Sequence, residues 1–291
     1  MSNFKYFSLS GTPAQVNMPN IPEDAKAVAG QIDDTVVEGC LFNQIGWYTK
    51  PFFAEGLIKH ESDELLVFVG GDVDNPEDLG AEIEIQLGND IININNTCVV
   101  FVPSGVAHGN LNIKSLDRPV FYYVCHMNTG TYEVSEAEST EEKGKYLEYK
   151  VEGYKPVSGK MPGAPEGFLT LLLWLDGQKA PGAPYMETVW FRCVNNSGPA
   201  PHAHEDFDEL IGFIGSDPNN PTDLGAEVQF DIDGELISVT ESCIAYLPRG
   251  TMHSPILVPA MEKPVYHFSI GNGGDYVRKG DKGDTNIYVP K

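Results

Sequence analysis

The sequence predicts an all-β protein built from two tandem antiparallel barrels. Identical residues recur 145 positions further along the chain, and this spacing holds without a gap over roughly seventy residues. The chain therefore contains two copies of one domain. Short apolar or β-branched runs alternate with clusters of Gly, Pro, Asn and Asp, the pattern of strands and turns. Closure into barrels removes the exposed edges that so many short strands would otherwise present.

The repeat is clearest around one tripeptide and one longer segment. Asp63-Glu64-Leu65 recurs as Asp208-Glu209-Leu210, and Asp78-Leu79-Gly80-Ala81-Glu82 recurs as Asp223-Leu224-Gly225-Ala226-Glu227. The residues that recur singly are Cys98, Pro103, Gly105 and His108, as Cys243, Pro248, Gly250 and His253. We expect a first domain of residues 1–145 and a second of residues 146–291, with the boundary in the polar and Pro- and Gly-rich stretch near residues 140–165.

The strands are predicted from their apolar or β-rich composition. They cover residues 65–69, 81–87, 98–102, 120–124, 171–175, 188–194, 226–232, 243–247 and 265–270. Helix is expected only in short pieces, near residues 22–29 and 136–143.

Composition and charge argue against nucleic-acid binding and membrane binding. A formal charge of −23 in 291 residues repels phosphate backbones and makes nucleic acid an unsuitable partner. The longest apolar run is too short to span a bilayer and the amino terminus does not resemble a secretion signal, so we expect a cytoplasmic protein that does not bind membranes. The expected partner is a small-molecule substrate, and a homodimer is left open.

Three histidines and one carboxylate of the second copy form a candidate metal site. His202 and His204 are two residues apart and would point to the same side of a strand. A short polar turn leads to Glu209 at the start of the next strand, and His253 follows a Pro-x-Gly turn that predicts the start of another. Three nitrogens and one oxygen would leave open positions on an octahedral ion.

The patterns H-x-H-x4-E and P-x-G-x2-H resemble the two motifs of the cupin superfamily, and the duplication resembles a bicupin. The resemblance implies jelly-roll-like cupin barrels that hold a divalent metal through His202, His204, Glu209 and His253. One divalent transition metal per chain is expected, with iron favoured and manganese, nickel, zinc and copper left open.

The first copy is expected to have a degenerate metal site. At the 145-residue spacing, Leu57 and Lys59 stand in place of His202 and His204, whereas Glu64 and His108 are kept. Lys59 is expected to pair with Glu64 in place of the ion, or else to reach solvent. The alternative is that a one-residue bulge brings the adjacent His60 into the site.

Outside the metal ligands, we single out Trp190, Arg192 and His267 as pocket candidates. Arg192 would suit a substrate carboxylate, or else form an ion pair at a strand edge. His267 would orient a ligand or carry a proton, or else be a packed sheet residue. No other catalytic residue is predicted.

The favoured function is a metal-dependent oxidoreductase, dioxygenase-like, that acts on a small organic acid or phenolic substrate. A non-redox isomerase or decarboxylase fits the same ligands. The degenerate first copy favours a third hypothesis, a small-molecule binding protein without turnover.

Overall fold

The computed structural model describes residues 7–9, 20–153, 163–273 and 287–288, and almost all regular structure in them is β-strand. The strands up to residue 152 are β1 (Phe7–Leu9), β2 (Lys26–Ile32), β3 (Asn43–Tyr48), β4 (Phe52–Lys59), β5 (Glu64–Gly70), β6 (Asp78–Leu87), β7 (Asp90–Asn96), β8 (Cys98–Val102), β9 (His108–Leu116), β10 (Val120–His126), β11 (Ser135–Glu136) and β12 (Lys150–Glu152). The later strands are β13 (Leu169–Leu175), β14 (Tyr185–Phe191), β15 (Gly198–Pro199), β16 (Glu209–Gly215), β17 (Asp223–Ile232), β18 (Glu235–Glu241), β19 (Cys243–Leu247), β20 (His253–Met261), β21 (Val265–Gly271) and β22 (Ile287–Tyr288).

The strands form two antiparallel barrels, which confirms the predicted fold class. The first barrel combines sheets of order β12-β8-β5-β10-β3-β2 and β11-β4-β9-β6-β7. The second combines sheets of order β1-β19-β16-β21-β14-β13 and β18-β17-β20 with the pair β15-β22. Each barrel encloses its own apolar core, because alternate strand residues point inward.

The two barrels exchange short strands. β1 pairs with β19 of the second barrel, and β12 pairs with β8 of the first, beyond the boundary expected at residues 145–146. A third apolar core lies between the barrels and contains Trp47, Phe121 and Tyr123 from one side and Trp190 and Tyr266 from the other. The aromatic rings interdigitate there, with 4.3 Å between the ring centroids of Phe121 and Tyr266.

The predicted strands are confirmed, except that β14 ends at Phe191 instead of residue 194. The two helix predictions are confirmed only in part. Residues 22–29 contain only a 3-10 turn at Glu23–Ala25 before β2 begins, and residues 137–143 form no regular helix. Strand pairing of β2 with β3 overrides local helix propensity here. None of the helices in the described ranges is long and apolar enough to cross a membrane.

Candidate metal centres

The second barrel brings His202, His204, Glu209 and His253 together. Glu209 begins β16 and His253 begins β20, as predicted, whereas His202 and His204 lie on an extended segment outside any named strand. The backbones of His202 and His253 exchange two hydrogen bonds, of 3.0 and 2.9 Å. These bonds fix the two distant segments side by side.

The hydrogen bonds of the rings determine which nitrogens face inward. His202 Nδ1 donates to the Ala200 carbonyl at 2.9 Å, and His253 Nδ1 donates to the Thr251 carbonyl at 3.0 Å. A carbonyl only accepts, so Nδ1 of each ring carries a proton, and in the neutral form that metal binding requires the lone pair is on Nε2. The donor atoms of His202, His204 and His253 lie within 4.8 Å of one another. Bonds of about 2.0–2.2 Å to a shared ion allow separations up to about 4.4 Å, so little contraction is needed.

Glu209 supplies the negative charge of the cluster. Its Oε2 lies 3.6 Å from His204 Nε2 and 3.2 Å from His253 Nε2, while the Ser269 hydroxyl donates to its Oε1. Oε2 is buried and accepts no hydrogen bond from the described residues. Burial alone would raise the pKa of Glu209, but His253, together with His204 and Ser269, lowers this pKa to about 2. The residues therefore fit a divalent cation, which would satisfy the carboxylate and the lone pairs at once.

Trp190 and Arg192, which were predicted as pocket residues, lie where the two barrels meet instead. Trp190 is fully buried in the core between the barrels, with its ring centroid 5.4 Å from that of Tyr266. Arg192 lies just past β14 and forms an ion pair with Asp74 of the first barrel. These contacts are those of a packing residue and of a surface ion pair.

His267 is packed between two phenylalanine rings, with centroid distances of 4.8 Å to Phe191 and 5.1 Å to Phe213. Its Nδ1 donates to the Gly212 carbonyl at 3.0 Å. Burial lowers the pKa of His267 to about 4, against smaller opposing effects of Gly212 and Glu209. A neutral ring at pH 7 fits the alternative of a packed sheet residue.

The burial of neutral His267 predicts a loss of stability in acid. Its folded pKa of about 4 lies below the ordinary 6.5, so the unfolded chain binds more protons between these values. The contribution is complete above pH 6.5 and is lost as pH falls to 4, by about 1–3 kcal/mol. Urea unfolding of chelator-treated protein at a series of pH values should show this fall, and His267→Phe should reduce it. Parallel pH profiles for the two proteins would contradict the assignment.

A second cluster occupies the equivalent place in the first barrel. His60, His108 and His126 surround Glu64, and all four residues are buried. The distances to the carboxylate are 3.5 Å from His60 Nε2 to Oε1, 2.9 Å from His108 Nε2 to Oε2 and 3.1 Å from His126 Nε2 to Oε1. Burial alone would raise the pKa of Glu64, but the three histidines hold this pKa well below its usual range.

The expected pairing of Lys59 with Glu64 is wrong. Within the described ranges Lys59 forms no ion pair with this carboxylate, whose neighbours are imidazoles. The first barrel was expected to lack a complete cluster, but its histidines and Glu64 do come together. The structure shows the alternative, in which a one-residue bulge brings His60 into the cluster.

The bulge lies in β4. Ala54 pairs with Leu111 and Leu57 pairs with Gly109, so Glu55 and Gly56 together face one residue of β9. Gly56 has a φ of 115°, which glycine adopts without a Cβ clash. The extra residue shifts the strand that follows by one position.

The shift makes His60 the counterpart of His204. Ile58, and not Leu57, now faces His108 as His202 faces His253. The His60 carbonyl accepts a hydrogen bond from Gly105 N, as the His204 carbonyl does from Gly250 N. The turn from His60 to Glu64 is one residue shorter than that from His204 to Glu209, which restores the 145-residue spacing.

His126 was not among the residues predicted from the sequence, although comparison of the two copies shows a difference at this position. His126 pairs with Glu64 as Gly271 pairs with Glu209. A Cβ at Gly271 would lie 2.5 Å from the ring of Phe207, which stacks on His204. In the first copy, Ser62 stands at the position of Phe207 and leaves room for the imidazole of His126. This compensating exchange of two residues is readable at the 145-residue spacing.

Two antiparallel barrels in tandem, each with a buried His and Glu cluster, define the cupin fold in its two-barrel form. No protein-family profile matches the chain, and no curated protein sequence matches it. Solved structures of the same architecture do match.

The matched structures include oxalate decarboxylase from Bacillus subtilis at pH 4.6, with a TM-score of 0.63, 10% identity, and coverage of 94% of this chain and 77% of that chain. A structure concerned with the Mn(II) centres of the same enzyme has a TM-score of 0.58 and 9% identity over 96% of this chain and 90% of that chain. A structure on the substrate binding mode and reaction specificity of oxalate decarboxylase has a TM-score of 0.59 and 9% identity, with the same coverage. At this identity the similarity establishes the fold.

Proposed function

We propose that the protein is a metal-dependent cupin enzyme that removes carbon dioxide from a small organic acid without net oxidation. The observation that carries the proposal is the inward-facing set of His202, His204, Glu209 and His253. The similar solved structures are of an oxalate decarboxylase, and one of them concerns its Mn(II) centres. They favour the decarboxylase alternative over a dioxygenase-like oxidoreductase, and manganese over iron. A cytoplasmic location stays a prediction.

The chain's own residues would prepare the site for this chemistry. The Nε2 atoms of His202, His204 and His253 and the Oε2 atom of Glu209 would hold the ion. A divalent ion at that place supplies a Lewis acid that withdraws charge from a bound carboxylate. The Ala200 and Thr251 carbonyls orient two of the rings, which is the usual role of such outer hydrogen bonds. Loss of carbon dioxide from the acid then requires one proton in its place.

The test is turnover of oxalate and related small acids by protein reconstituted with manganese. We expect release of carbon dioxide without stoichiometric oxygen uptake. Gas analysis and an oxygen electrode in the same vessel measure the two gases. Oxygen uptake in proportion to substrate would reinstate the oxidoreductase hypothesis. Tight binding of an acid without either change would favour a binding protein.

A further inference from the structure

The first barrel has a cavity beside its own cluster. Its empty space is about 630 Å³, a figure that includes open solvent at its mouth. Glu64 and His108 lie in its wall, with Tyr48, Tyr122 and Tyr132. Much of the rest of the lining is aliphatic and includes Ala54, Ile58, Leu66 and Leu111. Among the described residues that line it there is no lysine or arginine.

The second barrel has different rings at two of the equivalent positions. Register places Phe191 where the first barrel has Tyr48, and His267 where it has Tyr122. His267 stacks on both Phe191 and Phe213. The two tyrosines of the first barrel also stack on each other, with 4.1 Å between their ring centroids, and both line the cavity.

The histidines of the first barrel are oriented as metal ligands. His60 Nδ1 donates to the Glu133 carbonyl at 2.7 Å, and His108 Nδ1 donates to the Val106 carbonyl at 3.0 Å. Once neutral, as metal binding requires, each ring directs an Nε2 lone pair at the space beside Glu64. His60 Nε2 and Glu64 Oε2 are buried, and neither forms a well-directed hydrogen bond with the described residues, although His108 Nε2 lies 2.9 Å from Oε2. The donor atoms of His60, Glu64 and His108 lie within 4.8 Å of one another.

His126 contacts the other carboxylate oxygen of Glu64 and is not one of the candidate metal ligands. Ser62 lies 3.2 Å from its Nδ1, and its Nε2 contacts Glu64 Oε1 at 3.1 Å. The corresponding oxygen of Glu209 accepts from Ser269 in the second barrel. His126 is thus a positioning residue that holds Oε1 and leaves Oε2 directed at His108.

We propose that the first barrel holds a divalent transition-metal ion through His60, Glu64 and His108, and that this centre binds a monocarboxylic acid with an aromatic or apolar body. Three protein ligands leave half of an octahedral coordination sphere for the acid group. The tyrosine and aliphatic walls receive the body of the acid. A second negative charge would find no lysine or arginine among the lining residues described. The proposal concerns binding and does not depend on decarboxylation in the second barrel.

Two matched variants test the metal site, because His60 and His204 are counterparts. We expect two manganese equivalents per chain in the wild type, one in His60→Gln and one in His204→Gln, by metal analysis after dialysis. Lys59→Gln, next to His60, should keep both. A wild type with one equivalent that disappears in His204→Gln and persists in His60→Gln would overturn the proposal.

Calorimetric titration of the manganese-loaded protein with benzoate and acetate tests the ligand. Burial of the phenyl ring should make benzoate bind at least about 10-fold more tightly than acetate. The preference should be lost in His60→Gln and kept in His204→Gln. Ala54→Phe, which fills the cavity away from the ligands, should keep two metals and lose benzoate. Equal affinity for both acids, or benzoate binding that survives Ala54→Phe, would overturn the assignment.

Discussion

Glu209→Gln will cost the second barrel its metal and at least about 99% of the decarboxylation proposed there. The amide keeps the shape of the side chain but removes the negative charge that faces His204 and His253 across 3.6 and 3.2 Å. Loss of an outer-shell partner costs about 10–100-fold in metal affinity, and loss of a charged ligand should exceed that range. Manganese titration and turnover measured on the same preparation check the result.

The control for Glu209→Gln is Glu262→Gln, an identical chemical change on the exposed surface. It should leave metal content and rate unchanged. Circular dichroism and the melting temperature should show that both variants fold. If Glu209→Gln kept wild-type manganese affinity, the assignment of this carboxylate as a ligand would be wrong.

Trp190→Ala will lower the free energy of unfolding by about 3–5 kcal/mol, the usual cost of removing a buried aromatic side chain. Trp190 is fully buried between the barrels, and its ring meets Tyr266 edge-on at 76°. Tyr266 in turn contacts Phe121 of the first barrel, so the substitution opens a cavity where the barrels join. Denaturant unfolding followed by fluorescence gives the difference.

Phe53→Ala is the matched control, since Phe53 is 54% exposed and its loss leaves no cavity. We expect a change within about 0.5 kcal/mol for this variant. Equal losses in Trp190→Ala and Phe53→Ala would mean that the contact between the barrels contributes little to stability. A pocket role for Trp190 would instead appear as lost binding with unchanged stability.

Much of the second cluster was predictable because its residues are close in sequence. His202, His204 and Glu209 belong to one turn, so their spacing alone limits their separation, and His253 starts the strand its Pro-x-Gly turn indicates. The contacts of Trp190 and Arg192 were not predictable in this way. Alternation along a strand places two residues on one face but does not tell whether the other barrel covers that face.

The sequence by itself determined the duplicated all-β architecture, which follows from local patterns repeated at a fixed spacing. It also indicated the candidate metal-binding residues of the second barrel, which follow from the spacing within one short segment and from one Pro-x-Gly turn. Only the tertiary structure decided the state of the first barrel. The bulge at Glu55 and Gly56 moves His60 into the position of His204, and strand pairing places His126 opposite Glu64. A one-residue change in register reverses which side chains face inward, and an ungapped comparison of the two copies does not detect it.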